Sequence, residues 1–178
     1  FEEQCASLQE SGIPFYVAPG TSAWNTIGGR QKNAIANVKA ATEQAIGFGA
    51  RGTLLTNWGD FGHHHFPPVS YPAIVWAATL SWNRISESKF DDIQAVNTVF
   101  FKDNSLDLAK AIFSLSNLIN NFSYQPINRT LLNDLLFTSG EKFQFNLGKT
   151  NEEELEDCRT GLLKLLIHLR GTITSCEN

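Results

Sequence analysis

The sequence predicts an α/β chain, helix-dominated overall, in which two strand–helix units are followed by an all-α C-terminal region. Three observations lead there. Ile13-Pro14-Phe15-Tyr16-Val17-Ala18 and Gly52-Thr53-Leu54-Leu55-Thr56-Asn57 are short apolar runs suited to strands, the second to a buried parallel one. Between them, Ile35, Val38, Ala41, Ala45 and Ile46 recur at the spacing of one helical face, from Asn33 to Ile46. After about Asn83 the strand signals fade and amphipathic helical patterning takes over.

In chain order, residues 1–11 read as the end of a helix that Gly12 stops. The first strand run follows, then a loop rich in Gly and Ser, the returning helix and the second run, which ends in Trp58-Gly59-Asp60. A long loop carries His63-His64-His65 and Pro67-Pro68 to Ser70. Ser70 is a suitable N-cap for a helix that tolerates Pro72 in its first turn and ends near Trp82. This alternation is the rhythm of a (β/α) barrel or a doubly wound sheet. Helices are expected over Asp92–Phe100, Leu106–Ile119, Arg129–Phe137 and Asn151–Leu169. Thr150 and Glu153 form a capping box for the last, and Leu155, Leu162, Leu165, Leu166 and Leu169 form its apolar stripe. The acidic run Glu152-Glu153-Glu154 suits the positive end of that helix dipole. The expected division is residues 1–83 and 84–178.

Composition narrows the possible functions. Hydrophobic residues make up 42% of the chain, with thirteen Phe and four Trp, enough for a packed core. Fourteen Lys and Arg against eighteen Asp and Glu give a net charge of −4, and no basic run tracks a phosphate backbone, so nucleic acid is not an expected partner. No apolar run approaches the roughly 20 residues that span a bilayer. No membrane partner is expected, and Phe1-Glu2-Glu3 does not resemble a secretory leader. Cys5, Cys158 and Cys176 are odd in number and widely spaced, which reads as reduced thiols and favours a cytoplasmic setting. The sequons at Asn121 and Asn128 would matter only in a glycosylating pathway. A start at Phe1 suggests a piece of a longer chain.

Both strand runs end in an indole with a polar neighbour, Trp24-Asn25 after the first and Trp58-Gly59-Asp60 after the second. In a parallel barrel such ends share one face, so the two indoles are expected to converge on one pocket. An indole stacks on the apolar face of a pyranose, while a nearby carboxylate or amide takes up its hydroxyls. The bland alternative makes the tryptophans core fillers and Asp60 a turn residue. Gly47-Phe48-Gly49-Ala50-Arg51-Gly52 matches GxGxxG in letters, but here a helix ends and a strand begins, the reverse of a dinucleotide site. The three consecutive histidines diverge and lack further ligands at metal spacing, and only His63 lies close enough to the Trp58 turn to line a pocket. Arg30 reads as solvating the loop before the helix, with the pocket mouth as its alternative position.

With these residues in view, the stretches Ala18-Pro19-Gly20-Thr21-Ser22-Ala23-Trp24-Asn25, Leu54-Leu55-Thr56-Asn57-Trp58-Gly59-Asp60-Phe61-Gly62-His63 and Pro68-Val69-Ser70-Tyr71-Pro72 to Leu80-Ser81-Trp82 resemble glycoside hydrolase family 20, the β-N-acetylhexosaminidases. The likeness spans roughly residues 13–82 and implies the last two β/α units of a TIM-type (β/α)8 barrel. It implies that Trp58 walls the subsite of a terminal N-acetylglucosamine or N-acetylgalactosamine and that Asp60 binds outer hydroxyls. Trp24 and Asn25 would lie near the acetamide and ring. No cofactor or metal is implied. Asn57 departs from the family pattern. The family's substrate-assisted reaction also needs an adjacent Asp and Glu. No Asp-Glu dipeptide occurs in the sequence, and Asp91-Asp92 and Glu156-Asp157 fall in or beside tail helices. The chain alone is therefore expected to be inactive, partnered by a missing N-terminal barrel portion or by self-association. The alternative is a non-catalytic carbohydrate-binding module or a helical protein-interaction module.

Overall fold

The computed structural model describes residues 1–60, 62, 64–83 and 90–176, with side chains as far as Thr172. Its first half holds one parallel strand pair. Helix α1 (Glu2–Glu10) ends at Ser11, whose amide donates to Ser7 O at 3.1 Å, and Gly12 follows as the sequence predicts. Strand β1 (Tyr16–Val17) pairs in parallel with β2 (Gly52–Thr53), with Tyr16 opposite Gly52 and Val17 opposite Thr53. Helix α2 (Gln31–Gly47) makes the crossover between them.

The two strands are shorter than the apolar runs that predict them. Pairing nevertheless continues beyond them. Leu54 N donates to Val17 O at 2.8 Å, Thr56 N to Pro19 O at 2.9 Å and Thr21 N to Thr56 O at 2.9 Å, so an isolated parallel bridge joins Gly20 to Thr56. The chain alternates along this stretch, burying Val17 and Pro19 against α2 and exposing Tyr16 and Ala18. One sheet face is therefore covered by helix, while Tyr16 and Leu54 stay open on the other.

On α2 the expected face is buried at Val38, Ala41 and Ala45 and half-buried at Ile35, whereas Ile46, the last residue but one, is exposed. The GxGxxG letters close that helix, with Ala50 N donating back to Ala45 O at 2.8 Å. A 3₁₀ turn (Pro67–Ser70) leads into α3 (Tyr71–Trp82), which packs on α2 through Val38, Trp76 and Ala77. Ser70 does not cap this helix as predicted. Its hydroxyl is drawn instead to Asn57 Oδ1, at 3.1 Å.

Among the described residues the second half contains helices joined by loops and no strand. Helix α4 (Asp92–Val96) is capped by Asp91, whose Oδ1 accepts from Gln94 N at 2.9 Å. It then widens into a π-helical turn (Asn97–Phe101), a break that the even spacing of apolar residues over 92–100 does not reveal. Asp92 Oδ1 accepts from Trp76 Nε1 at 2.8 Å, while burial pushes its carboxyl up from the usual range. Helix α5 (Asp107–Ile119) follows, then α6 (Leu131–Phe137), capped by Thr130 two residues later than the predicted start.

Helix α7 (Gly140–Leu147) is absent from the sequence-based expectation; its core-facing residues are too few to give a stripe, and Asn146 is its buried position. Helix α8 (Glu152–Cys176) runs beyond the expected Leu169. Its cap is Asn151, whose Oδ1 accepts from Glu154 N at 2.9 Å, rather than a box of Thr150 and Glu153. The Thr150 hydroxyl donates to Glu154 Oε2 at 2.7 Å, and these contacts hold the Glu154 carboxyl below its usual range. Along α8, Leu155, Leu162, Leu165 and Leu169 are half-buried, but Leu166 is exposed.

Residues from the two halves interlock around the loop before α2. The Leu115 and Ile119 side chains of α5 lie against Gly28. Ser116 Oγ accepts from Gln31 N and donates to Gly29 O, both at 3.0 Å, and Thr130 N donates to Asn25 O at 3.1 Å. Cys5 and Cys158 are free and buried, and burial raises the Cys158 thiol. Among the described residues no helix is long and apolar enough to cross a membrane.

Candidate functional site

Each strand-end indole contacts one residue of the parallel bridge between Gly20 and Thr56. The Trp24 ring lies against Gly20 so closely that a Cβ there would sit 2.8 Å from Cη2 of the indole. Trp58 Nε1 donates to Thr56 Oγ1 at 2.9 Å, and the same hydroxyl donates to Pro19 O at 3.1 Å. Thr56 thus fixes the edge of the Trp58 ring while 54% of the residue stays exposed. The indole is solvent-facing, and burial as core filler does not describe it. Asp60, two residues on, is exposed and makes no hydrogen bond among the described residues.

Asn57, set aside in the sequence as a departure from the family pattern, organises this end of the strands. Its Oδ1 accepts from Thr21 Oγ1 at 2.6 Å and from Ser70 Oγ at 3.1 Å. One amide oxygen therefore ties the loop after β1 to the start of α3 and sets the direction in which the chain leaves Thr56. Asn57→Ala is expected to lower stability by about 1–3 kcal/mol, since it strands two hydroxyls of which Thr21 and Ser70 are otherwise buried. Equilibrium urea unfolding measures this, and unchanged stability would show that the amide is dispensable.

Asn25 is buried and has a left-handed backbone at φ 51°. It faces the tail: with His64, Arg129, Asn133, Asp134, Phe137 and other residues it lines a cavity of about 340 Å³. His64 stacks on Phe137, ring centroids 3.8 Å apart, so this histidine is a packing residue of the loop. His63, expected to line the sugar pocket, lies outside the described residues. The structure thus places Trp24 against Gly20 and Trp58 against Thr56, leaves Asp60 exposed two residues on, and turns Asn25 toward α6.

Arg30 differs most from its reading as a solvating loop residue. Its guanidinium lies over the Trp24 ring, 5.0 Å from the centroid, and Nε and Nη2 are buried without a hydrogen-bond partner. Burial lowers the Arg30 pKa from its ordinary value. A cation over an indole face is favourable there, and it leaves Trp58 as the more open ring. The only sequence signal for this was Arg30 lying six residues after Trp24 in a loop that must fold back.

No protein-family model, curated protein or solved structure matches the chain.

Proposed function

We propose that this chain forms part of the sugar-binding wall of an exo-acting β-N-acetylhexosaminidase-like glycoside hydrolase, with a terminal N-acetylhexosamine stacked on Trp58. The observation that carries the reading is the pinned, exposed Trp58 indole sharing the Gly20–Thr56 bridge with Trp24. Stacking removes the apolar face of a pyranose from water, and the open Asp60 carboxylate supplies acceptors for ring hydroxyls. The role of this chain is binding and orientation. Protonation of the leaving oxygen, and positioning of the acetamide that attacks the anomeric carbon, need an acid pair that this sequence does not contain. In this reading, further barrel strands or a second copy adjoin the sheet face left open at Tyr16 and Leu54.

The test is a titration of the full chain with N-acetylglucosamine, following the indole N–H resonances. A saturable shift of the Trp58 signal is expected, with a dissociation constant of about 1 mM or weaker, as suits one partial subsite. Trp58→Ala should weaken binding by about 1–3 kcal/mol, roughly 5- to 160-fold. In the same samples a nitrophenyl N-acetylglucosaminide should release no nitrophenol. Binding that is absent in the wild type, or undiminished in the variant, overturns the assignment of Trp58. Release of nitrophenol by pure protein overturns the account of the missing acid.

A further inference from the structure

A second cavity, of about 560 Å³, opens where the start of α2 meets the end of α5 and the loop before α6. Its charged lining residues are Arg30, Lys32 and Arg129, and no carboxylate lines it. Arg129 shares its charge with Asp134, Nη1 to Oδ1 at 3.4 Å. Among the described residues neither Arg30 nor Lys32 has a carboxylate partner, and the Arg30 Nε and Nη2 have no hydrogen-bond acceptor. The Trp24 face offsets part of the Arg30 charge, but with three cations and no carboxylate in the lining the cavity carries a positive potential that attracts anions.

Size and lining say what carries the charge. The volume is that of a small-molecule site and far exceeds a bare oxyanion. Asn117, Asn121 and Asn128 line it with exposed amides that make no side-chain hydrogen bonds among the described residues. Each amide offers donors and an acceptor, which suits hydroxyl groups. We propose that this cavity binds a small anionic carbohydrate, a sugar acid or sugar phosphate, with the oxyanion held by Arg30 and Lys32 and the hydroxyls met by these three amides. Neither Trp24 nor Trp58 lines this cavity, and its ligand differs in charge from that proposed for Trp58.

The full chain is titrated by calorimetry at constant ionic strength with glucose 6-phosphate, glucuronate, glucose and inorganic phosphate. At least one of the two anionic sugars is expected to bind roughly tenfold or more tightly than either glucose or phosphate, as charge-assisted hydrogen bonds add to those of the hydroxyls. The arm that binds more tightly identifies the phosphate or the carboxylate as the preferred group. Arg30→Gln should remove this binding. Because Arg30 also covers Trp24, Lys32→Gln on the exposed first turn of α2 is the deciding variant if Arg30→Gln does not fold, with an expected loss of about three- to fivefold. Trp58→Ala should leave the binding intact, which separates this result from the N-acetylglucosamine titration. Equal affinity for glucose and both anionic sugars, or full affinity in Lys32→Gln, overturns the anion site. Inorganic phosphate binding as tightly as the sugars overturns the carbohydrate part.

Discussion

Ile119→Ala is expected to lower the unfolding free energy by about 2–5 kcal/mol, the cost of emptying a fully enclosed aliphatic site. Ile119 is completely buried, and its Cδ1 lies against Gly28, so the side chain sits in the seam between the last turn of α5 and the loop that precedes α2. Below it, Ser116 and Asn120 both donate to Gly29 O at 3.0 Å, so a shift of α5 also loosens these polar contacts. Urea unfolding followed at once by helix signal and by tryptophan fluorescence measures the loss. Coincident transitions that move together to lower urea are expected, because one seam joins the strand-containing half to the helices. A loss under about 1 kcal/mol would mean that α5 does not seat against this loop.

Gly29→Ala is expected to cost about 2–4 kcal/mol from two additive causes. The residue has φ +76°, a left-handed conformation that a side chain disfavours. A Cβ there would also lie 2.7 Å from Gln31 Nε2 and 2.7 Å from Val69 Cγ1. Gln31 Nε2 donates to Val69 O at 2.7 Å, so relief of the clash breaks the contact that ties the start of α2 to the lead-in of α3. The same unfolding measurement applies. A stability equal to wild type would show that the loop relaxes freely. In the N-acetylglucosamine titration this variant should also broaden the indole signals of the Trp24 neighbourhood, since Arg30 covers that ring from the next position in the chain.

Much of the candidate site was legible because it depends on parallel pairing of two short runs. Once Ile13–Ala18 and Gly52–Asn57 are neighbours in register, the residues after each run must emerge at the same end, and the Trp24 ring lies against Gly20 while Trp58 donates to Thr56, the two residues of the parallel bridge. Asn57 was underread for a physical reason. Its importance lies in two hydroxyls, one 36 residues before it and one 13 after, and no local pattern encodes that pairing. Arg30 was misread in the same way, as polarity suggested solvent while the fold gave it an indole to cover.

By itself the sequence determined the elements whose signal is local. The aliphatic spacing of residues 35–45 makes α2 amphipathic, the run at 52–57 pairs in parallel at Gly52–Thr53 and again at Thr56, and Leu155, Leu162, Leu165 and Leu169 of α8 lie on its half-buried face. These follow from hydrophobic period, which each segment carries alone. Only the tertiary structure decided how α2 begins. Arg30 at its N-cap position supplies no side-chain bond, and the Gln31 amide is met by Ser116 Oγ, 85 residues away. The free amides of a helix start must be satisfied by some acceptor, but that acceptor need not be near in sequence. A contact of this kind exists only once α5 has packed into place, and the same packing builds the Arg30 and Lys32 cavity and turns Asn25 toward α6.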